Sequence, residues 1–196
     1  MTNNVIIVAG GKGLRMGSEL LKHFIPINGK PVLMHTIEKF HLFDTSINII
    51  VVLPDSYQHY WKELCKEYSF AIPHSIINGG ETRFHSVKNG LTLVKNGTVA
   101  VHDGARPFPS TKFIRKIFEL AKQYKAIIPT IDETDSLRKV IDKTNSEIID
   151  RSSIKRVQTP QVFESELLKN AYNTEYSETF TDDASVVEKI VGINIF

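Results

Sequence analysis

The sequence predicts an α/β fold: a Rossmann-like, mostly parallel sheet with helices on both faces and a projecting β-hairpin arm. Three observations predict this fold: continuous β-branched runs, helical stretches between them, and two short strand-like runs late in the chain. Near-continuous apolar strands are typical of sheets buried on both faces. Strands that alternate with helices indicate parallel pairing. We expect a single domain over residues 1–196.

The predicted strands of the main sheet share an apolar, β-branched composition and are bounded by glycine, proline or polar residues. They cover residues 5–9, 48–53, 71–77, 98–101 and 126–129. Between them, apolar residues recur at helical spacing over residues 31–40, 57–68, 83–94 and 111–124. Because crossovers between parallel strands are right-handed, these helices are expected to cover both faces of the sheet.

A β-hairpin arm is predicted at approximately residues 132–156. Residues 135–141 and 147–151 are strand-like, and residues 143–146 between them are turn-like. An isolated hairpin is only marginally stable in water. We therefore expect the arm to pack against something else, such as a second subunit.

Composition excludes several classes of protein. The formal net charge is +2, without a dense Lys/Arg run, which argues against a nucleic-acid partner. No apolar run approaches the ~20 residues that span a bilayer, so no membrane association is expected. The single cysteine, Cys65, cannot form an internal disulfide, and no Cys/His spacing suggests zinc. These features predict a protein of the reducing cytoplasm.

A glycine-rich loop over residues 10–17 follows the first strand and is a candidate phosphate cradle. Ligands bind at the carboxyl ends of strands in such sheets, and exposed backbone N–H groups bind anions. The Walker motif is absent, and Met16 stands where a dinucleotide fingerprint needs glycine. The cations Arg15 and Lys22 could stabilise a phosphoryl group under attack. A tight turn without a ligand is the alternative.

The run Val101-His102-Asp103-Gly104-Ala105-Arg106-Pro107 ends an apolar strand in a carboxylate. Mg²⁺ is commonly held by one or two carboxylates together with substrate phosphates, which suits Asp103. Arg106 offers a cation to a second phosphate. The alternative role for Asp103 is to cap the next turn, and His102 is expected to be packed rather than a ligand.

A Gly-Gly turn, Gly79-Gly80, leads into a predicted helix whose first turn carries Arg83 and Ser86. Their spacing places both side chains on one helix face, where they could hold a base or ribose. A helix that is merely capped at this point explains the spacing equally well.

Five motifs follow one another along the chain: residues 9–17 (AGGKGLRMG) with Lys22, residues 79–87 (GGETRFHSV), residues 101–107 (VHDGARP), residues 158–163 (QTPQVF) and residues 181–185 (TDDAS). In this order, and from Val5 to about Gly192, the chain resembles the 2-C-methyl-D-erythritol 4-phosphate cytidylyltransferases of the non-mevalonate isoprenoid pathway. The resemblance implies transfer of a cytidylyl group from CTP to 2-C-methyl-D-erythritol 4-phosphate. The products would be 4-diphosphocytidyl-2-C-methyl-D-erythritol and pyrophosphate.

The resemblance also implies roles for individual residues. The catalytic residues would be Arg15 and Lys22. The nucleotide site would comprise Ala9, Gly10, Gly11, Gly13, Gly80, Arg83, Ser86, Asp103 and Gly104, with Asp103 also holding Mg²⁺. Methylerythritol phosphate would be bound by Arg106, Ser136, Arg151, Thr159 and Thr181. The arm would swap across a homodimer, so that Arg151 serves the active site of the partner.

The chain departs from the family pattern in three places. His23 follows Lys22 where the family usually has glutamine. Asp135-Ser136 replaces the Asp-Thr of the arm, so the substrate hydroxyl is Ser136 or Thr134. The sequence stops at Phe196, before a family segment that supplies another lysine, and we expect a C-terminus truncated relative to the family.

Two other functions stay open from the sequence. A ribitol 5-phosphate cytidylyltransferase shares the fold, CTP and the chemistry. A module that binds CTP without turnover would fit the missing lysine.

Overall fold

The computed structural model of the protein describes residues 2–10, 21–193 and 195, and it has the predicted α/β architecture. Its strands in chain order are β1 (Thr2–Val8), β2 (Pro26–Ile27), β3 (Lys30–Pro31), β4 (Asn48–Leu53), β5 (Ser75–Asn78), β6 (Gly97–Asp103), β7 (Ala126–Ile127), β8 (Thr130–Asp132), β9 (Leu137–Val140), β10 (Ser146–Ile149), β11 (Lys155–Val157) and β12 (Gln161–Glu164). Its helices are α1 (Val32–Phe43), α2 (Asp55–Glu67), α3 (Arg83–Leu91), α4 (Thr111–Tyr124), α5 (Ser165–Ala171) and α6 (Asp183–Val191).

The main sheet has six strands in the order β5-β4-β1-β6-β12-β7. The first four are mutually parallel, whereas β12 runs antiparallel to both of its neighbours, which confirms the prediction of a mostly parallel sheet. The chain progresses from β1 outward to β4 and β5 and then returns to place β6 on the other side of β1. The carboxyl ends of β1 and β6 therefore flank a topological switch point, where ligands bind in open α/β sheets.

The sheet is covered by helices on both faces, as predicted. Alternate residues of β1 face opposite layers: Val5 and Ile7 pack with α1, α2 and α4, while Ile6 packs with α3, α5 and α6. All three side chains are fully buried. Burial of one such side chain stabilises the fold by about 1.5–3 kcal/mol. The continuous apolar run in the sequence is thus explained by a strand between two helical layers.

Three helices begin at side chains that accept a backbone N–H, as favoured N-cap residues do. Thr82 caps α3, and Ser110 caps α4 by accepting from the Phe113 N–H at 3.1 Å. Asp182 caps α6 by accepting from the Ser185 N–H at 2.8 Å, and the Ser185 hydroxyl in turn accepts from the Asp182 N–H in a capping box. Helix α6 therefore begins at a well-defined residue beside the site described below.

The observed strands and helices differ from the prediction at three points. Strand β5 is shorter than the expected 71–77, since the Ile72 carbonyl is bound by the His74 ring and not by the sheet. Strand β7 ends before the expected residue 129, because the Pro129 carbonyl accepts the Gln158 N–H at 2.8 Å, at the start of the arm. Strand β12 and helices α5 and α6 were not predicted. None of the helices in the described part of the chain is long and apolar enough to cross a membrane.

The predicted arm is present as two successive antiparallel pairs of short strands. Strands β8 and β11 form its base, and β9 and β10 form the hairpin beyond it. The turn is closed by Asp142, whose Oδ1 accepts the backbone N–H groups of Thr144 and Asn145 at 2.8 and 2.9 Å. Two apolar side chains of the hairpin, Val140 and Ile148, are 74% and 80% exposed in the single chain.

Candidate active site

The carboxyl ends of the central strands bring together three of the loops that carry the sequence motifs described above. The backbone N–H groups of Ala9, Gly79 and Gly104 each donate to a carbonyl at the end of a neighbouring strand, at 2.9 Å in every case. The loops that follow β1, β5 and β6 therefore start side by side at the switch point. Gly11, Gly13 and Arg15 lie outside the described residues, while Gly10 continues directly from Ala9.

Two glycines are required by close approach. A Cβ on Gly104 would lie 3.0 Å from the Ala9 Cβ and 3.1 Å from the His23 Cδ2. A Cβ on Gly80 would lie only 2.3 Å from the His85 Cβ, which real Cβ atoms do not approach. The Gly80 N–H donates to the Ser86 Oγ at 3.1 Å, so the predicted pair Gly80 and Ser86 is brought together.

Asp103 ends β6 and connects two of the predicted substrate residues. Its Oδ2 accepts the Arg106 Nε–H at 2.8 Å, and its backbone N–H donates to the Thr159 Oγ1 at 3.3 Å. Arg106 also donates from Nη1 to the Gln158 Oε1 at 2.5 Å. The Asp103 side chain is 34% exposed, so the carboxylate remains accessible to a ligand.

Arg83 is engaged on two sides. Its Nη1 and Nη2 donate to the two oxygens of the Asp183 carboxylate at 2.8 and 2.7 Å, and its Nε lies 3.9 Å from the Asp103 Oδ1. Burial alone would lower the pKa of the guanidinium, but the charge and hydrogen bonds of Asp183, aided by Asp103, raise it above its ordinary value. Arg83 is therefore a permanent cation beside the Asp103 carboxylate.

Two histidines are buried next to these groups. His102 Nε2 lies 2.9 Å from the Arg106 carbonyl oxygen, and its ring packs edge-on against Phe40. Burial lowers the pKa of both His23 and His102 to about 4. Both rings are therefore neutral near pH 7. As the sequence suggested for His102, this ring is packed inside the protein.

Lys22 begins a single 3₁₀ turn, Lys22–Phe24, and its side chain is exposed. Its positive charge lowers the pKa of His23 while the Asp103 charge raises it, although burial has the larger effect. Lys22 directly precedes His23 in the chain, and the His23 ring lies against the turn after β6, because a Cβ on Gly104 would stand 3.1 Å from the His23 Cδ2.

The remaining predicted residues lie in two groups. The Thr181 N–H donates to the Ser185 Oγ at 3.0 Å, at the start of α6. On the arm, Arg151 donates from Nη1 to the Thr134 carbonyl oxygen at 2.5 Å, and Ser136 is exposed two residues further on. The arm thus brings Arg151 together with both candidate hydroxyl residues.

Sequence reasoning missed several polar residues of this region. Gln158, Asp183 and Tyr172 received no role, although the first two stand inside motifs that the sequence singled out. The signal for Asp183 was its place in Thr181-Asp182-Asp183, an acidic pair at a helix start. Its burial could not be read from the sequence because charged residues are almost never fully buried unless they are paired.

Metal binding here would depend on a single carboxylate. Across the described ranges, no group of three or more His, Cys, Asp or Glu side chains is arranged to hold a metal ion. Any cation at Asp103 would therefore take its other ligands from a substrate and from water.

Comparison with known proteins identifies the family. The family model of 2-C-methyl-D-erythritol 4-phosphate cytidylyltransferase matches residues 4–195. The chain belongs to this family. The loops at the switch point and the cluster around Asp103 are therefore features of a cytidylyltransferase fold.

Named relatives are similar along nearly the whole chain. The 2-C-methyl-D-erythritol 4-phosphate cytidylyltransferase of Bacteroides thetaiotaomicron is 58% identical over 189 residues, 96% of this chain and 86% of that protein. The enzyme of the same name from Bacteroides fragilis is 54% identical over 197 residues, 100% of this chain and 89% of that protein.

Solved structures of the cytidylyltransferase family share the fold. The Francisella tularensis 2-C-methyl-D-erythritol 4-phosphate cytidylyltransferase has a TM-score of 0.78 and 31% identity, covering 100% of this chain and 88% of that one. The 4-diphosphocytidyl-2C-methyl-D-erythritol synthase of Anaerococcus prevotii has a TM-score of 0.80 and 26% identity, covering 96% of this chain and 82% of that one.

Proposed function

We propose that the protein transfers a cytidylyl group from CTP to 2-C-methyl-D-erythritol 4-phosphate. The products are 4-diphosphocytidyl-2-C-methyl-D-erythritol and pyrophosphate, in isoprenoid precursor biosynthesis. One observation carries the proposal: in a chain of this family, Asp103, Arg106 and Thr159 are joined by hydrogen bonds at the switch point of the sheet. The lack of paired cysteines agrees with a reducing cytoplasm, where we place the protein.

The nucleotide binds across the carboxyl ends of β1 and β6. Ala9 and Gly10 begin the phosphate-binding loop, which continues through Gly11 and Gly13 beyond the described residues. Gly80 and Ser86 are already joined by a hydrogen bond, and with Arg83 they line the position of the base and ribose. Gly104 leaves room for a ligand beside the end of β6, because a Cβ there would crowd Ala9 and His23 at 3.0 and 3.1 Å.

The residues at Asp103 fit a magnesium ion. The accessible carboxylate at a strand end supplies one hard oxygen ligand, and Mg²⁺ takes its remaining ligands readily from substrate phosphates and water. The neighbouring Arg83 and Arg106 make the site unattractive to a free cation, because like charges repel. A metal carried in with the triphosphate is different, because the complex is negatively charged. A bound magnesium ion would neutralise phosphate charge during the reaction.

The acceptor substrate binds through its phosphate. Arg106 is fixed by Asp103 on one side and by Gln158 on the other, which orients its guanidinium at the mouth of the site. Thr159, which accepts the Asp103 N–H, and Thr181, just before α6, offer hydroxyl groups. Ser136 or Thr134, together with Arg151, completes the site from the arm.

The reaction is an in-line displacement at phosphorus. An oxygen of the acceptor phosphate attacks the α-phosphorus of CTP, a new P–O bond forms, and the bond to pyrophosphate breaks. Such reactions need positioning and charge stabilisation more than covalent chemistry. Lys22 and Arg15 supply positive charge where it develops on the α-phosphate. No general base is required, since the attacking phosphate oxygen is already anionic.

The arm completes the site of a second subunit in a homodimer. Val140 and Ile148 on the hairpin are too exposed to stabilise it in a single chain. Burial of such side chains by a second copy would supply about 1.5–3 kcal/mol each. In this proposal the chain forms one nucleotidyltransferase domain, with an arm at approximately residues 132–156 that serves the partner subunit.

Pyrophosphate release from CTP and Mg²⁺ tests the proposal, with 2-C-methyl-D-erythritol 4-phosphate and ribitol 5-phosphate compared as acceptors. Release that depends on the first acceptor is the expected result. Release with ribitol 5-phosphate alone would instead identify a polyol-phosphate cytidylyltransferase. CTP binding without release on either acceptor would identify a binding module.

A further inference from the structure

The Asp183 carboxylate lies fully buried at the first residue of α6 and is completely paired. Its two oxygens accept from Arg83 Nη1 and Nη2, and the Tyr172 hydroxyl donates to Oδ1 at 2.6 Å. Burial of a charge is costly unless it is paired and hydrogen-bonded. Removal of one partner from a buried ion pair is strongly destabilising, because it leaves the other charge buried without compensation.

Arg83 is shared between this buried carboxylate and the accessible one at the site. Its Nη atoms form two hydrogen bonds to Asp183, whereas its Nε stands 3.9 Å from the Asp103 Oδ1, beyond hydrogen-bond distance. Bidentate contact between guanidinium and carboxylate is the stronger geometry. Asp183 therefore determines how far Arg83 stands from Asp103.

The position of Asp183 relative to Asp103 is fixed through β12. Gln161 Nε2 donates to the Asp182 Oδ2 at 2.8 Å, and Gln161 Oε1 accepts the Ala184 N–H at 3.0 Å. Gln161 itself is paired with Val101 of β6, two residues before Asp103. The start of α6 is thus attached to the strand that carries the site carboxylate.

We propose that Asp183 is a positioning residue of the nucleotide site: it holds the Arg83 guanidinium off the Asp103 Oδ1 and so keeps that oxygen free for the nucleotide and its metal, while Oδ2 accepts from Arg106. The inference rests on the proposed function, because it assigns the ligand of Asp103. Without the Asp183 charge, Arg83 moves onto Asp103 and competes with the metal–nucleotide complex for it.

Asp183→Asn tests this directly, since asparagine keeps the shape and removes the charge. The readouts are calorimetric titration with CTP, with and without Mg²⁺, and steady-state kinetics. Loss of a charged hydrogen-bonded partner predicts Mg²⁺-dependent CTP binding weakened by about ten-fold or more. The KM for the acceptor and the kcat at saturating CTP should change little. Tyr172→Phe is the matched control: it removes a bond to the same carboxylate but leaves the Arg83 pair intact.

Equal losses of CTP affinity in Asp183→Asn and Tyr172→Phe would overturn the inference, because both would then act through stability alone. Unchanged CTP affinity in a folded Asp183→Asn protein would overturn it as well. A wild-type protein that binds no CTP would overturn the proposed function itself, which is a separate result.

Arg83→Lys serves if Asp183→Asn does not fold, because an ammonium keeps the charge pair but cannot grip Asp183 bidentately. The expected result is a loss of CTP affinity that is larger with Mg²⁺ than without it, because contact of Arg83 with the base or ribose contributes equally under both conditions. A loss of the same size with and without the metal would be explained by that contact alone and would overturn the inference. Unchanged affinity would also overturn it.

Discussion

The Nε2 atom of His102 lies 2.9 Å from the carbonyl oxygen of Arg106, across the turn that follows β6. A carbonyl can only accept, so Nε2 carries the proton and donates. The other ring nitrogen, Nδ1, is buried and has no hydrogen-bond partner among the described residues, and burial lowers the pKa of the ring to about 4. A neutral imidazole therefore fixes the backbone of the residue that we assign to the acceptor phosphate.

Replacement of His102 should affect the acceptor more than the nucleotide. In His102→Phe the donor to the Arg106 carbonyl is lost, and loss of one such bond predicts a rise of about five-fold in the KM for 2-C-methyl-D-erythritol 4-phosphate. His102→Gln is the control, because its amide nitrogen can reach the same carbonyl and should restore most of the affinity. Steady-state kinetics with each substrate varied separately distinguishes the two variants.

Replacement of Gly79 and of Gly80 by alanine should have different effects on CTP affinity. A Cβ on Gly79 would meet the Ser86 Oγ at 3.4 Å, an ordinary contact, whereas on Gly80 it would lie 2.3 Å from the His85 Cβ. Gly80→Ala must displace the start of α3 and with it Arg83 and Ser86. We expect CTP affinity to fall by about ten-fold or more in Gly80→Ala, the equivalent of about 1.4 kcal/mol.

Gly79→Ala supplies the reference for that measurement, and its CTP affinity should stay close to wild type. Calorimetric titration with CTP measures both. Similar affinities for the two variants would mean that the turn has room to adjust and that its position does not govern binding.

Hybrid dimers should recover activity if the arm completes the partner's site. Lys22→Ala and Arg151→Ala proteins are each expected to be nearly inactive. After subunit exchange at equal amounts, about a quarter of wild-type activity should return, because half of the dimers are hybrid and each has one intact site. Pyrophosphate release measures the recovery.

The control for this exchange mixes Lys22→Ala protein with Asp103→Asn protein, because neither residue lies on the arm. Every site in those hybrids carries one defect, so no recovery is expected. Recovery in the control, or none in the test mixture after exchange is demonstrated, would contradict the shared site.

The pH dependence of stability should include a contribution from His74. The Trp61 indole can only donate, and its Nε1 lies 3.0 Å from the His74 Nε2, so Nε2 accepts and Nδ1–H donates to the Ile72 carbonyl. Burial lowers the pKa of His74 below 6.5, although the bond to Ile72 opposes this. The unfolded chain therefore binds the proton first as the pH falls.

The free energy of unfolding should consequently decline as the pH drops below about 6.5 and level off below the folded-state pKa of His74. Chemical denaturation at about pH 7.5 and about pH 5.5 measures the decline. His74→Gln cannot titrate at this position, so its decline should be smaller than that of the wild-type protein, while His23 and His102 contribute equally to both proteins. Identical declines in the free energy of unfolding of wild type and His74→Gln would show that His74 does not contribute to the pH dependence.

The parts of the fold that the sequence predicted are those with strong local patterns. Strands β1 and β4 are continuous β-branched runs, and α4 has the predicted bounds, 111–124, because its apolar spacing and Ser110 cap agree. Strand β12 was missed because it has only four residues, one of them the buried polar Gln161. Its hydrogen bonds to α6 join segments that no local pattern connects.

In the candidate site, too, contacts between residues close in the chain were predictable and contacts between distant residues were not. Short motifs placed Asp103 with Arg106, and Gly80 with Ser86, because each pair is close in the chain. The partnership of Arg83 with Asp183 could not be predicted, because the two residues are 100 positions apart. Only the return of α6 to the sheet brings them into contact.

That separation ties ligand binding to the stability of the whole molecule. A loop of this length is costly in chain entropy to close, and it closes only after the intervening strands have found their places. The Arg83–Asp183 pair therefore exists only while α6 is packed on the sheet, and partial unfolding of α6 would break it. CTP at one hundred times its dissociation constant should stabilise the protein against global unfolding by about 2.7 kcal/mol. A rise in melting temperature with CTP thus reports on the integrity of the entire chain, including helices far from the ligand.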